Sequence, residues 1–248
     1  MRTCFILAIA FCFHLTSAAQ NQWQWLNPQP SGSGCLKVAF TDRLTGYILN
    51  YNGDLLRTID QGAHWAFDQN FSGAVTMAIA DSTGVIATNN GLVYISSDNG
   101  ATWKSYSTGM TGYAAFESVS IASRDTLFLS TNNGQLFKSS DRGLTWTLLS
   151  LKTPDITAIS FPNPRVGYVG GGSSFVAKTA DGGNTWQTID SVNYGSSGVL
   201  ALEFLNADTG YVSVEFDSVK VTHDGGKTWT SATCFQPGST IDVVNDTL

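Results

Sequence analysis

Five aspartates recur in nearly identical surroundings, and they are the residues whose type and spacing could first suggest chemistry. A carboxylate can act as a general acid or base, or it can bind a metal ion. A calcium loop gathers several oxygen ligands in one place, however, whereas each of these segments contributes a single carboxylate. We therefore predict no catalytic, metal-binding or cofactor-binding role for them and expect no cofactor. Their separations are 38, 43, 40 and 43 residues, and they are Asp60, Asp98, Asp141, Asp181 and Asp224.

Each aspartate lies in a segment of the form Ser/Thr-x-Asp-x-Gly-x-Thr-Trp, here called a box; residues 139–146 are one copy. The aspartate and the leading hydroxyl are expected to accept hydrogen bonds from backbone amides two residues on. The glycine suits a tight turn with positive φ, and the tryptophan offers a large apolar surface to bury between neighbouring sheets. We predict structural turns built by Asp60, Gly62 and Trp65; Asp98, Gly100 and Trp103; Asp141, Gly143 and Trp146; Asp181, Gly183 and Trp186; and Asp224, Gly226 and Trp229.

The first box departs from this pattern. It has His64 at the position where the other four boxes have Thr102, Thr145, Thr185 and Thr228. Terminal repeats are often atypical, so we assign no ligand or base role to His64.

A period of about 40 residues, with four strand-like runs in each repeat, is typical of a propeller blade. We predict an all-β fold, a β-propeller of four-stranded blades with five box repeats. The Asn-Gly pairs at 52–53, 90–91 and 133–134 predict type I′ hairpins between the second and third strands, a role taken by Gly170, Gly171 and Gly172 in the fourth repeat. Residues 22–26 resemble a fourth strand and residues 239–248 a first strand. We therefore expect partial blade strands at both ends, an incomplete ring and a chain truncated at its C-terminus.

Residues 1–19 have the features of a cleaved signal peptide, with Arg2, an apolar run and small residues before the cleavage site. The apolar run is too short to span a bilayer of about 30 Å. We predict a propeller domain over residues 20–248 that is exported, to the periplasm, the cell surface or the medium, with no membrane span in the mature chain. Removal of the signal leaves Cys35 and Cys234, and the sequence leaves open whether this pair forms a disulfide.

The charge balance narrows the choice of partners. The chain has 13 Lys and Arg against 19 Asp and Glu, a formal net charge of −6, which argues against a nucleic-acid partner. Loops on a rigid framework are where binding usually resides. We expect a protein partner, with a glycan left open, and the binding candidates in the interblade segments are Tyr106, Tyr113 and Tyr194.

Five boxes, the strand turns of the type Phe161, Gly167 and Tyr168, and the export signal together resemble the photosystem II assembly and stability factor type of β-propeller, one of the bacterial-neuraminidase-repeat proteins. The resemblance covers the mature chain. It implies an exported, non-catalytic propeller that binds another protein, and it assigns the box residues to structural turns and no residue to catalysis. Sialidases, xyloglucan-cleaving endoglucanases and sortilin-type receptors are similar in carrying such boxes, so a glycoside hydrolase is the alternative.

The enzyme alternative lacks a recognisable set of residues. Similarity to sialidases would imply three arginines, a tyrosine paired with a glutamate, and an acid/base aspartate. Arg142 and Arg57 lie in or beside boxes, which leaves Arg43, Arg124 and Arg165, and the glutamates are Glu117, Glu203 and Glu215. A glycosidase needs two facing carboxylates. No spacing pairs the candidates outside the boxes, which are Asp68, Asp155 and Asp190. We therefore predict that the protein is not an enzyme.

Overall fold

The computed structural model describes residues 33–80, 82–110, 114–149, 151, 153, 155–189, 197–215, 219–232 and 241. This part of the chain contains no helix; it forms five antiparallel sheets of four strands each, in which neighbouring strands follow one another along the sequence. The prediction of an all-β propeller is confirmed. The signal peptide and residues 22–26 lie outside the described residues, so they stay predictions.

The strand bounds are as follows: blade 1, β1 (Cys35–Phe40), β2 (Gly46–Asn50), β3 (Asp54–Thr58) and β4 (Ala66–Asn70); blade 2, β5 (Ala74–Ala80), β6 (Thr83–Thr88), β7 (Leu92–Ser96) and β8 (Lys104–Ser107); blade 3, β9 (Phe116–Ile121), β10 (Leu127–Thr131), β11 (Leu136–Ser139) and β12 (Thr147–Leu149); blade 4, β13 (Ala158–Ser160), β14 (Gly167–Gly170), β15 (Val176–Thr179) and β16 (Gln187–Thr188); blade 5, β17 (Val199–Phe204), β18 (Gly210–Val214), β19 (Val219–Thr222) and β20 (Thr230–Ser231).

Each box joins the third and fourth strands of its blade and lies beside the turn that joins the first and second strands. In blade 1 the amide of Gln61 donates to the carbonyl of Leu44 at 3.0 Å. The opposite end of the blade carries the hairpin between the second and third strands and the connection to the next blade, where the Phe71 amide donates to the Gly53 carbonyl at 2.7 Å. The boxes therefore share one end of the blades, here called the box face, and the interblade connections share the other.

The Asn-Gly hairpins do not adopt the predicted type I′ conformation. Positive φ occurs at Gly53 (79°) but not at the preceding Asn52, as at Gly91 (82°) and Gly134 (77°). The Gly53 amide donates to the Asn50 carbonyl, which gives a type I turn followed by a left-handed glycine. Asn50 Oδ1 also accepts from the amides of Asn52 and Asp54 at 2.9 Å. This side-chain acceptor stabilises the three-residue loop, so the type I′ prediction is wrong.

The core lies between successive blades. The second strands are largely buried, whereas the fourth strands are mostly exposed. Between blades 4 and 5, Tyr168 and Val176 pack against Leu202 and Phe204. The rings of Tyr168 and Phe204 stack with centroids 3.4 Å apart and planes 1° apart. Equivalent clusters join blades 1 and 2, 2 and 3, and 3 and 4, so each junction has its own apolar core.

The phenylalanine at the end of the first strand explains the glycine that opens the second strand. A Cβ on Gly167 would lie 2.3 Å from the ring of Phe161, and a Cβ on Gly210 would lie 2.4 Å from the ring of Phe204. Only glycine allows the ring to lie flat against the neighbouring strand. The aromatic-glycine pattern is thus a packing requirement.

Among the described residues, no blade precedes blade 1. Val38 and Phe40 are 55% and 50% exposed, and Ile48, Leu56 and Trp65 form a small cluster beside them. We call these five residues the open flank. No hydrogen bond of the described residues joins β1 to β17, and the ring is not closed in this way. The open flank is therefore exposed apolar surface at Val38 and Phe40, whereas its other three residues are buried.

Candidate functional site

The box is a closed set of local hydrogen bonds, well represented by the third copy. Ser139 Oγ donates to Asp141 Oδ1 at 2.8 Å and accepts from the Gly143 amide at 2.8 Å. Asp141 Oδ1 also accepts from the Thr145 amide at 2.9 Å, and Oδ2 accepts from the Thr145 hydroxyl at 2.6 Å. The donating amide lies four residues beyond the aspartate, rather than two as expected. Both carboxylate oxygens are thereby committed to the turn.

The other boxes repeat this arrangement, and it stabilises the ionised carboxylates. The His64 amide is the main cause that lowers the pKa of Asp60 to about 2. The Thr228 hydroxyl does the same for Asp224, whose pKa is also lowered to about 2. The pKa values of Asp98, Asp141 and Asp181 are lowered as well, first by the threonine hydroxyl four residues on. Hydrogen bonds to the charged form favour that form, which is a structural explanation of the shifts.

Two successive left-handed residues make the turn of each box. In the first box φ is 64° at Gln61 and 86° at Gly62, and in the third it is 64° at Arg142 and 82° at Gly143. Positive φ at both central residues is the requirement of a type I′ turn. The box, rather than the Asn-Gly hairpin, therefore has this geometry. A residue other than glycine at the first position has a strained backbone conformation, and the surrounding hydrogen bonds offset that strain.

Three box tryptophans, Trp103, Trp146 and Trp229, donate their indole N–H to the carbonyl of the box glycine, whereas the buried Nε1 of Trp186 has no hydrogen-bond partner. Trp146 Nε1 donates to the carbonyl of Gly143 at 3.1 Å, and Trp103 Nε1 donates to the carbonyl of Gly100 at 2.9 Å. Both side chains are half-buried and pack at the edge of an interblade cluster. Trp65, on the open flank, is buried to 7% exposure among residues of its own blade. Except at Trp65, the structure places these rings at the rim of the interblade cores.

The two described carboxylates that the sequence offered for the enzyme alternative, Asp68 and Asp155, lie in different blades. Asp68 lies in β4, where burial raises its pKa and Arg57 opposes the rise, whereas Asp155 precedes β13 in blade 4. Asp190 lies outside the described residues. Asp155 instead has Glu117 as its acidic neighbour. Burial, and then the charge of Asp155, raise the pKa of Glu117.

Sequence patterns do not pair these two residues, because Glu117 is the second residue of β9 in blade 3 while Asp155 precedes the first strand of blade 4. Asp155 is fixed by the amide of Gly172, which donates to its Oδ1. A Cβ on Gly171 or Gly172 would lie 2.1 Å from the Asp155 carbonyl oxygen or 2.4 Å from its Oδ1. The glycine run of the fourth repeat therefore makes room for Asp155, in addition to forming a hairpin.

The arginines occupy separate positions. Arg142 Nε donates to Asp125 Oδ1 at 2.6 Å, and Arg57 lies over the ring of Tyr47, 5.9 Å from its centroid. The remaining three are exposed residues in the turns between first and second strands of blades 1, 3 and 4: Arg43, Arg124 and Arg165. Within the residues described, no group of three His, Cys, Asp or Glu side chains could hold a metal ion.

Of the three tyrosine candidates, the structure describes Tyr106. Tyr113 and Tyr194 lie outside the described residues, as does Cys234, so the pairing of Cys234 with the exposed, unbonded Cys35 stays a prediction. Tyr106 lies within β8 and not in an interblade loop, because the outer strand of blade 2 extends to Ser107. The placement of Tyr106 in a loop is therefore corrected.

Tyr106 lines a groove at the junction of blades 2 and 3. The groove encloses about 200 Å³, and its lining includes Lys104, Arg142 and Leu144. The residues at the position of Lys104 in the other blades are Ala66, Thr147, Gln187 and Thr230. Those at the position of Tyr106 are Asp68, Leu149, Ile189 and Ala232. Only blade 2 thus combines a lysine with an aromatic ring here, and Tyr106 also packs against the cluster between blades 2 and 3, as Leu149 and Ile189 do at their junctions.

The fold and the boxes together define a β-propeller of box-type blades. The sequence model of the DUF6242 beta propeller domain matches residues 92–198, less than half of the chain. No curated protein sequence matches the chain. Among described residues, no helix is long and apolar enough to cross a membrane.

Solved structures share the fold at low sequence identity. YCF48 from Cyanidioschyzon merolae is 17% identical, with 76% of this chain and 69% of that chain covered and a TM-score of 0.62. A structure of YCF48 bound to D1 peptide is 16% identical, with coverages of 82% and 69% and a TM-score of 0.62. The GH74 xyloglucanase from Xanthomonas campestris is 13% identical, with a TM-score of 0.64; the match covers 80% of this chain but only 38% of that enzyme. At these identities the likeness concerns the fold.

Proposed function

We propose that this chain is an exported, non-catalytic β-propeller that binds a protein partner. One observation carries the proposal: the repeated carboxylates, which would be the obvious catalytic groups, accept the hydrogen bonds of their own turns. Asp141 illustrates this, because both of its oxygens are engaged by Thr145. A carboxylate held ionised by such donors is a poor general acid near neutral pH. The boxes therefore have a structural role in the blades. Function resides in surfaces that differ between blades.

The similarity to YCF48 supports a protein partner. One of the similar structures is YCF48 bound to D1 peptide, so a propeller of this fold has a surface that accepts a peptide. We propose the same general activity for this chain, without assigning it the same partner. Export rests on the N-terminal sequence.

The groove around Tyr106 is the proposed contact surface. It offers an aromatic ring, an aliphatic side chain at Leu144 and the cations of Lys104 and Arg142. Tyrosine and arginine are enriched where protein interfaces gain most of their binding energy. Leu144 is 53% exposed, which leaves apolar surface for a partner to cover.

The test is affinity capture with the mature protein from an extract of its own source, comparing three proteins. Tyr106→Ala should lose the captured partner, while Ser105→Ala, its exposed neighbour on the same strand, should retain it. Binding is then measured with the purified partner, and a drop of about tenfold or more in affinity is expected for Tyr106→Ala. Equal binding by both variants would reject this surface, and no specific partner for the wild-type protein would reject the proposed function.

A glycoside hydrolase is the second candidate, favoured by one observation. Glu117 has a raised pKa beside Asp155, and an acid with a raised pKa near a second carboxylate is the arrangement that glycosidases use. The fold is also that of GH74 enzymes. Assays with xyloglucan and with a fluorogenic sialoside test this candidate. Turnover that is abolished in Glu117→Gln but retained in Asp141→Asn would replace the binding proposal with an enzymatic one.

A further inference from the structure

The third box brings two unusual side chains to the groove between blades 2 and 3. Arg142 lies between the aspartate and the glycine of this box, and Leu144 follows the glycine; both line the groove. The equivalent residues of the other boxes are Gln61, Asn99, Gly182 and Gly225 for Arg142, and Ala63, Ala101, Asn184 and Lys227 for Leu144. Blade 3 alone therefore has a cation at the first of these positions and a large apolar side chain at the second.

Arg142 has a backbone conformation that its residue type disfavours. Its φ is 64°, in the left-handed region, where blades 4 and 5 have Gly182 at 70° and Gly225 at 72°. A glycine adopts this conformation without steric cost, whereas an arginine does not. The arginine therefore stands here against a local conformational preference. Strained residues are concentrated at functional sites, which draws attention to its side chain.

Asp125 fixes the guanidinium of Arg142. The Arg142 amide donates to the Asp125 carbonyl at 3.1 Å, and Arg142 Nε donates to Asp125 Oδ1 at 2.6 Å. In the other blades the same backbone acceptor is Leu44, Ser82, Arg165 or Asp208, so this pairing of a carboxylate with an arginine occurs in blade 3 alone. No described residue accepts a hydrogen bond from the two terminal nitrogens of Arg142. These nitrogens form the fork that binds a carboxylate.

The hydrogen-bonding groups left open in the groove are donors. The Lys104 ammonium is exposed and has no ion-pair partner among the described residues. The carboxylates next to groove residues already accept hydrogen bonds: Asp98 from Thr102, Asp125 from Arg142 and Asp141 from Thr145. Because the chain has a net charge of −6, attraction of an anion depends on these donors at close contact and not on the overall charge. The groove thus fits a negatively charged acceptor.

Tyr106 and Leu144 supply the apolar part of the groove. Leu144 is 53% exposed, and Tyr106 is half-buried against the cluster between blades 2 and 3. The volume of about 200 Å³ corresponds to about seven water molecules. This space suits one carboxylate group and one neighbouring apolar side chain of a peptide.

We propose that the groove binds an acidic peptide segment of the partner, in which an aspartate or glutamate lies next to a large apolar side chain. The acidic side chain accepts hydrogen bonds from Arg142 and Lys104, and the apolar side chain covers Tyr106 and Leu144. Because Lys104, Arg142 and Leu144 are all exposed, the segment lies across the surface and continues past the groove. The inference rests on the proposed function, since it names the chemistry of the segment that the same groove accepts.

The first test is selection of peptides on the mature protein. The probe is a phage-displayed library of random short peptides joined to the phage at their C-termini. The wild type should enrich peptides that have an acidic residue next to an aromatic or large aliphatic residue, and Arg142→Gly should not. A second library with free C-termini is selected in parallel. Enrichment in the second library alone, enrichment of peptides without a carboxylate, or no enrichment would overturn the proposal.

The second test measures the affinity of one selected peptide by fluorescence anisotropy. Arg142→Gly should weaken binding about tenfold or more, because charge-assisted hydrogen bonds are lost. Its urea midpoint should stay at or above that of the wild type, since glycine relieves the strain and the lost ion pair is exposed. Arg165→Gln, in an exposed turn of blade 4, removes the same charge outside the groove and should leave the affinity unchanged.

A matched change in the peptide completes this measurement. Replacing its acidic residue by the corresponding amide should weaken binding to the wild type about tenfold and have little further effect on Arg142→Gly. Equal affinity of the wild type and Arg142→Gly for the acidic peptide would overturn the proposal.

Competition separates this inference from the proposed function. The acidic peptide should displace the partner captured from the extract. A partner that requires Tyr106 but is not displaced would overturn the inference and leave the proposed function standing. The absence of a specific partner would reject the proposed function, whereas the peptide selection reports the chemistry of the groove independently.

Discussion

Nδ1 of His64 lies 2.6 Å from Oδ2 of Asp60, in the place where the other boxes have a threonine hydroxyl. In the third box the Thr145 hydroxyl donates to Asp141 Oδ2, also at 2.6 Å. The imidazole therefore replaces the hydroxyl as the donor that fixes the second carboxylate oxygen. The His64 side chain is 80% exposed, so the charge interaction is screened and the hydrogen bond is its main contribution.

We expect His64→Thr to preserve the stability of the protein, because threonine restores the hydroxyl donor of the other boxes. His64→Ala should lower the urea midpoint, since Asp60 Oδ2 loses its side-chain donor while the backbone donor to Oδ1 remains. Urea denaturation followed by tryptophan fluorescence measures both variants. A midpoint in His64→Ala equal to that of the wild type would mean that the imidazole contributes nothing to the turn.

Acid should weaken the fold through the box carboxylates. The folded pKa of Asp60 and of Asp224 is about 2, below the ordinary value of 3.8, so their stabilising effect is complete above pH 3.8. It is lost as the pH falls through 3.8 toward 2, because the unfolded state then binds more protons than the folded state. Urea midpoints measured from pH 5 to pH 2 should fall over this interval.

Two variants separate this effect from other titrations. Asp224→Asn should remove part but not all of the fall between pH 4 and pH 2, because the pKa values of the other box aspartates and of Asp42 and Asp54 are lowered as well. Glu117 has the opposite sign: its raised pKa contributes stability at low pH that is lost as the pH rises above 4.5. Glu117→Gln should therefore alter the profile above pH 4 and leave the acid limb unchanged. An acid limb insensitive to Asp224→Asn would contradict the assignment.

The left-handed turn residues predict opposite effects of two small substitutions. Gln61 has φ of 64°, so Gln61→Gly should relieve strain and raise the free energy of unfolding by about 0.5–1 kcal/mol. Gly143 has φ of 82°, and a Cβ there would lie 2.7 Å from Ile95 Cδ1. Gly143→Ala should lower the free energy of unfolding by about 1–3 kcal/mol. Urea titrations at neutral pH measure the free energy of unfolding of both variants. Destabilisation by Gln61→Gly would refute the strain argument.

The open flank predicts unequal effects of the same change in two equivalent phenylalanines. Phe204→Ala should lower the free energy of unfolding by about 3–5 kcal/mol, because the ring is 2% exposed and stacked on Tyr168. Phe40→Ala should lower the free energy of unfolding by less than half as much, since its ring is 50% exposed. Chemical denaturation of the two variants provides the comparison. Similar losses would mean that the flank of blade 1 is covered in solution as fully as an internal junction.

Much of the blade could be predicted from the sequence, because its signals are local. Strands such as β18 and β19 follow from alternating apolar residues and turn glycines, and the box bonds join residues at most four positions apart. The turn types were harder to predict. Asn50 supplies a side-chain acceptor that selects a type I loop before Gly53, whereas the box hydrogen bonds hold Gln61 in a conformation that its type disfavours. The sequence pattern alone does not show which of these competing local hydrogen bonds forms.

The sequence by itself determined the repeat, the blade and the role of the box, since each depends on contacts within about ten residues. Only the tertiary structure decided which residues of different blades become neighbours. It set Glu117 beside Asp155, placed Tyr106 on a strand that borders a groove with Arg142, and left Phe40 exposed where Phe204 is covered. These relationships depend on how one sheet packs against the next. A repeated sequence specifies the same local fold in every blade, whereas the neighbour that each blade meets is determined by packing across the whole array.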